Sequence, residues 1–152
     1  MADIYTPARR SEIMAGVRSH GNERTEVVMA RLLHAHGITG WRRQLGVFGK
    51  PDFVFRREKV ALFVDGCFWH SCPKPKHASL PKTRADWWQA KLTRNRDRDK
   101  LVNRTLRKAG WKVLRIWQCD LRGRNSLRAV AKIQRALAGR KALLAEGSSH
   151  GV

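Results

Sequence analysis

The apolar run KVALFV at residues 59–64 constrains the fold of this chain more than any other stretch. Its side chains do not alternate between apolar and polar, so a strand built from it must be covered on both faces. PDFVF at residues 51–55 precedes it, and Pro51 can open a strand because a missing N–H is tolerated at that position. Trp41 to Val47 reads as a further strand, with Gly46 and Gly49 turning the chain, and WKVLRIW at residues 111–117 supplies another.

Helical periodicity fills the intervals. Residues 10–18 bring Ile13, Met14 and Val17 together in a basic N-terminal helix ending near Gly21. Over residues 23–36, Val28, Leu32 and His36 share one side, and Val27, Ala30, Leu33 and Ala35 extend it. Gly37 and Gly40 end this helix. Thr83 to Asp86 has the pattern of a capping box opening a long helix that stops before Gly110. Its polar middle, TRNRDRDK, exposes much of its girth. A last helix runs from about Asn125 to Leu137. The predicted order α, α, β, β, β, α, β, α gives an α/β fold, a mixed sheet flanked by helices. The expected organisation is a basic arm over 1–20, one domain over 21–138 and a frayed tail over 139–152.

Charge narrows the partners. Lys and Arg total 32 against 12 acids, a formal charge of +20, which favours a polyanion such as nucleic acid. No apolar run approaches the roughly 18–20 residues needed to span a bilayer, and the N-terminus lacks the apolar segment of a signal peptide. A cytoplasmic protein without a membrane role is expected. Three cysteines, an odd number, argue against a disulfide framework, leaving thiols that are buried, reactive or metal-bound.

Residues 52–77 carry the chemistry. The loop from Gly66 to Lys82 holds Pro73, Pro75 and Pro81, has no regular period and needs something to hold it together. Cys67, Cys72 and His77, with Cys119 just after WKVLRIW, form a possible Cys3His set for a structural Zn²⁺. His70 is the alternative nitrogen ligand. Asp52 and Asp65 lie at the ends of neighbouring strands about 5 Å apart and can converge on Mg²⁺, a hard cation that takes oxygen ligands. His70, five residues beyond Asp65, is then the best general base for hydrolysing a phosphodiester. Glu26, in the first turn of its helix, either favours the helix dipole or faces the metal. Phe68 and Trp69 are suited to wedging between bases, with Trp87 and Trp88 as possible partners. At least one of that adjacent pair must leave the core face, whereas Trp111 and Trp117 read as core.

PDFVF, FVDGCFWHSCP and WQCDLRGR, with RRSEIM, the Thr25-Glu26 pair and KTRADWWQAKLTRNRDRD, resemble the very-short-patch-repair (Vsr) mismatch endonucleases of bacteria. The resemblance covers about residues 8–138. It implies a restriction-endonuclease-like core with a structural zinc. It also implies a Mg²⁺-dependent nick 5′ of the thymine at a T:G mismatch left by deamination of 5-methylcytosine. By the same resemblance Asp52 and the backbone carbonyl of Val64 hold Mg²⁺, His70 is the general base, and Glu26 helps hold the attacking water. Asp65 sits near the scissile phosphate. Phe68, Trp69 and Trp88 enter beside the mismatch from the major groove and Met14 from the minor groove; Cys67, Cys72, His77 and Cys119 hold zinc. The chain departs from the family in delaying His77. The expected partner is double-stranded DNA, bound by a monomer associated with the nucleoid, with mismatch-repair proteins as further partners. Two rivals share part of the pattern: a zinc-stabilised DNA-binding module needing neither Asp52 nor His70, and a restriction-type enzyme cutting both strands.

Overall fold

The computed structural model describes residues 25–43, 45–70, 72–74 and 80–148. The elements are α1 (Glu26–Ala35), β1 (Trp41–Arg42), β2 (Phe53–Phe55), β3 (Val60–Asp65), α2 (Ala85–Lys108), β4 (Lys112–Trp117), a 3₁₀ turn (Gln118–Leu121) and α3 (Arg124–Ser148). One sheet has the order β1-β2-β3-β4. β1 and β2 pair antiparallel, as do β2 and β3, while β3 and β4 pair parallel. A parallel pair needs a long crossover, and α2 supplies it.

Period two along β3 divides the core. Val60, Leu62 and Val64 face a cluster with Met29 and Leu33 of α1 and Val130 and Ile133 of α3. Ala61 and Phe63 face Val102 and Leu106 of α2. Every residue of β3 is buried, as its unbroken apolar character predicts. Each fully buried aliphatic or aromatic side chain here contributes about 1.5–3 kcal/mol of apolar transfer. The mixed sheet flanked by helices is the expected architecture. Among the described residues no helix is long and apolar enough to cross a membrane.

Several expectations need correction. β1 pairs over only Trp41–Arg42, not to Val47, because tight turns reverse the chain: Val47 N donates to Leu45 O (2.6 Å) and Lys50 N to Val47 O (3.0 Å). In α1 the buried line is Glu26, Met29 and Leu33; Val28 and Leu32 only flank the core, and His36 is exposed. No capping box forms at Thr83: Arg84, in the left-handed region at φ 55°, precedes Ala85 without a side-chain cap. The last helix does not end at Leu137 but continues to Ser148. Gly139 does not break it, and Arg140 ties it down by donating to the carbonyls of Glu58 (2.9 Å) and Gly110 (2.9 Å). The expected N-terminal arm, with Met14, and the expected zinc ligand His77 lie outside the described residues.

Candidate active site

An open cleft of about 470 Å³ lies where β3 ends and α2 crosses the sheet. Asp52, Asp65, His70, Asn95, Asp99 and Arg115 line it. The approach to Asp52 is set by Gly49, which has φ +77° and so close a fit that an added Cβ would lie 2.3 Å from Val102 Cγ1 of α2. Only glycine combines that backbone with that approach. The loop before β2 can therefore lie flat on α2 and deliver Lys50, Pro51 and Asp52 to the cleft.

Asp52 precedes β2, and its Oδ2 accepts the backbone N–H of Val64 in β3 (2.7 Å). Burial pushes its carboxyl up to about 7, helped by the charge of Glu26 and opposed by the Val64 hydrogen bond. Glu26, buried at the start of α1, is held by an ion pair with Arg43. Four carboxylates thus converge: Glu26, Asp52, Asp65 and Asp99. Three have basic partners, Glu26 with Arg43, Asp65 with Arg115, and Asp99 with His70 and Arg115. Asp52 is the one without an ion pair among the described residues.

The chain after β3 makes a single helical turn. His70 N donates to Gly66 O (3.2 Å) and Cys72 N to Cys67 O (2.9 Å). That turn carries His70 back over the strand end. His70 Nδ1 lies 2.5 Å from Asp99 Oδ2 and 3.8 Å from Asp65 Oδ1. One turn earlier in α2, Asn95 Nδ2 donates to Trp69 O (3.1 Å), so the loop is pinned at two successive turns of the helix. Burial alone would lower the His70 pKa, but the Asp99 hydrogen bond and the charges of Asp65 and Asp99 outweigh it and hold the pKa above its usual value. Asp65, the last residue of β3, is itself pushed up, by burial first, against the restraining charges of His70 and Arg115.

Strand register explains the thiols. Asp65 of β3 pairs with Trp117 of β4, and Cys67 and Cys119 each lie two residues further on. The turn adds Cys72, whose Sγ is 3.8 Å from Cys119 Sγ. All three sulfurs lie within 4.8 Å of one another. Burial raises the Cys67 thiol to about 12, and the other two cysteines add to it. Three converging thiols are a donor set that suits a soft, tetrahedral ion such as Zn²⁺, which would reverse that shift by favouring the thiolates. Lys74 flanks the cluster, with Nζ 3.4 Å from Cys119 Sγ and 2.7 Å from Asp120 Oδ1.

Beside the cleft, Phe68, Trp69 and Trp88 form a packed group with ring centroids 5.2–6.0 Å apart, Phe68 edge-on to both tryptophans. Trp88 is 6% exposed and packs behind the other two rings. Its neighbour Trp87, at 41%, is the tryptophan that leaves the core face. The Lys91 ammonium sits 5.1–5.8 Å from the centres of Trp69, Trp87 and Trp88, a distance at which cation–π attraction is effective. Trp111 and Trp117, expected in the core, are half-buried.

A family profile described as "DNA mismatch endonuclease Vsr" matches residues 2–74. The DNA mismatch endonuclease Vsr of Escherichia coli (strain K12) is 34% identical over 138 residues, covering 89% of this chain and 85% of that protein. The chain belongs to the Vsr family. It is therefore a DNA endonuclease, a hydrolase. Two further Vsr relatives are type II nicking enzymes. V.XorIIP of Xanthomonas oryzae pv. oryzae is 39% identical over 131 residues, covering 85% of this chain and 93% of its own. V.NaeI of Lentzea aerocolonigenes is 53% identical over 73 residues, covering 48% and 43%.

Set against the sequence expectations, this Vsr chain brings Asp52, Asp65 and His70 to one cleft, with Glu26 next to Asp52. It also brings Cys67, Cys72 and Cys119 together. Reading the sequence missed Asp99, Asn95 and Arg115. A signal for the first two exists. Trp88, Leu92, Asn95, Asp99, Val102 and Leu106 follow one another at spacings of four and three, the period of a buried helix stripe. The four apolar members are buried, and the two polar ones interrupt the stripe where it passes the cleft.

Proposed function

We propose that this endonuclease nicks one strand of double-stranded DNA 5′ of the thymine at a T:G mismatch, in a Mg²⁺-dependent hydrolysis, and so initiates very short patch repair. The observation that carries the proposal is Asp52. It is a half-buried carboxylate without an ion pair among the described residues, set in the same cleft as the His70–Asp99 pair. A carboxyl pushed up to about 7 gives up its proton readily to a divalent cation, whose charge replaces the missing partner. Asp52 and the carbonyl of Val64 would hold Mg²⁺ with the phosphate, and the ion would supply electrostatic stabilisation of the charge developing on the phosphoryl oxygens.

His70 moves the proton. With Nδ1 engaged by Asp99, Nε2 is the nitrogen that accepts a proton from the attacking water as the new P–O bond forms and the old one breaks. Asp99 holds the tautomer and stabilises the imidazolium, as the acid of a hydrolase triad does. Glu26 orients the attacking water. Phe68 and Trp69 form the wedge, Trp88 supports them from behind, and a net charge of +20 holds the polyanion. The three thiols, with His77 as the fourth ligand, would hold a structural Zn²⁺, which would close the loop bearing His70 and the wedge. The nicking relatives favour cleavage of one strand over a restriction-type double cut.

The test is a panel of end-labelled heteroduplexes, each with one mismatch, incubated with and without Mg²⁺. The expected product is a single cut 5′ of the thymine in the T:G duplex, dependent on Mg²⁺. Equal cutting of the perfectly paired duplex, or full activity in excess chelator with zinc restored, refutes the proposal.

A further inference from the structure

We infer that a second pocket of this endonuclease, at the outer edge of β4 and outside the cleft, seats one backbone phosphate of the bound duplex. The inference rests on the chain's being a DNA endonuclease and not on which mismatch it prefers. The pocket has a volume of about 280 Å³ and lies between β4, the 3₁₀ turn and α3. β4 ends the sheet order, so among the described residues no strand covers this edge. Lys74, Arg115, Arg128 and Lys132 line the pocket, against one acid, Asp120.

Two of these cations are already engaged. Lys74 Nζ is held by Asp120 Oδ1 (2.7 Å), so those charges cancel. Arg115 gives its guanidinium to Asp65 in the cleft (2.8 Å). Lys132 Nζ donates to Arg115 O (3.3 Å), a contact that uses one of its three N–H groups and leaves its charge uncompensated. Arg128 has no ion pair among the described residues. Both side chains are exposed on α3, four residues apart and therefore on one face, where like charges repel and destabilise a helix. An anion between them removes that repulsion. A phosphodiester carries one negative charge and two unesterified oxygens, one for each cation. Trp117 distinguishes the source of the phosphate. Its half-buried ring lines the same pocket and offers an apolar wall to a deoxyribose, from which inorganic phosphate gains nothing. Arg115 lines both this pocket and the cleft, so a single residue separates them. A duplex entering the cleft carries a phosphate past the pocket for about every 3.4 Å of each strand.

Duplex binding by the zinc-loaded full chain tests this, followed by fluorescence anisotropy over a salt series for wild type, R128Q, K132Q and the double variant. At about 0.1 M salt the double variant should bind about tenfold more weakly, and its plot of log affinity against log salt should be shallower by about 0.9, the contribution of one phosphate. Neutral methylphosphonates placed one at a time along the backbone should then locate the contact. One position other than the scissile phosphate should weaken wild type and leave the double variant unaffected. A merely general loss of attraction would weaken every duplex alike and silence no position, and that result overturns the inference, as does an unmoved salt slope. Saturable binding of inorganic phosphate, seen by phosphorus NMR and lost in the double variant, with no silenced backbone position, makes this a free-anion site and also overturns it. Should the double variant fail to fold, either single variant decides by the same scan. None of these readouts needs cleavage or a mismatch, so they remain separate from failure of the proposed reaction.

Discussion

Replacing Asp99 with Asn changes one oxygen into an NH₂ group and strikes the contact on which the proposed proton transfer depends. His70 Nδ1 and Asp99 Oδ2 are 2.5 Å apart, and the two side chains are 28% and 21% exposed. A hydrogen bond to a charged group contributes about 1.5–3 kcal/mol, and partial exposure favours the lower half of that range. At about 1.4 kcal/mol per factor of ten, loss of the bond slows the chemical step by about 10–30-fold. An Asn amide can also present its N–H to Nδ1, which stabilises the tautomer protonated on Nε2 and removes the lone pair that must take the proton. The expected fall in kcat for Asp99→Asn is therefore about 10–100-fold, with KM little changed. It should be measured by single-turnover nicking of a T:G duplex. The pH profile gives an independent readout. Asp99 raises the His70 pKa, so its removal moves the acid limb to lower pH. The raised pKa also stabilises the fold below the usual imidazole value, an effect lost as pH rises through the folded value. Asp99→Asn should consequently lower Tm more at about pH 5.5 than at about pH 8.5. Wild-type kcat with an unmoved acid limb would refute the assignment of Asp99 as the group that orients the base.

Asp52→Asn should abolish nicking while T:G duplex binding persists by fluorescence anisotropy. It should also raise the Tm of the cation-free protein above about pH 7. Ionising a carboxyl moved from 3.8 to about 7 costs stability, a penalty absent below the lower value and complete above the upper one; equal Tm values at about pH 8.5 would count against it. Cys119→Ser should lower zinc content and Tm together, read by atomic absorption and calorimetry, and one zinc per chain in that variant would remove Cys119 as a ligand. Gly49→Ala should destabilise by about 1–3 kcal/mol, since a Cβ 2.3 Å from Val102 Cγ1 forces the loop off α2 at an already left-handed φ. An unchanged denaturation midpoint would show that the loop yields freely.

The parts that could be read from the sequence share a physical cause. β3 was legible because a strand buried on both faces needs an unbroken apolar run, and α3 because Ala129, Val130, Ile133 and Leu137 repeat at helical spacing. That Asp52, Asp65 and His70 share one cleft was legible because two of them end neighbouring strands and the third follows five residues on. What escaped was long-range or compensatory. Asp99 looked like one more charge in a solvated helix until the stripe through Trp88 and Leu106 was traced. Arg115 sits in a strand whose other side chains pack, and its partners lie 12, 16 and 50 residues away. Trp88 and Trp87 are indistinguishable by type, and only the phase of α2 against the sheet decides which one is buried. The short β1 reflects turn geometry at Leu45–Lys50 that no periodicity encodes.

The parallel pairing of β3 with β4 bears on when this enzyme becomes dangerous. A nascent chain that has emerged only as far as Lys74 already contains Glu26, Asp52, Asp65 and His70, yet it lacks the helix bearing Asp99 and the strand bearing Arg115 and Cys119. β4 and the turn after it supply both the arginine between the acids and the third sulfur. A polypeptide halted before β4 therefore cannot assemble the proposed centre: Asp65 has no Arg115 beside it and the thiol cluster lacks its third sulfur.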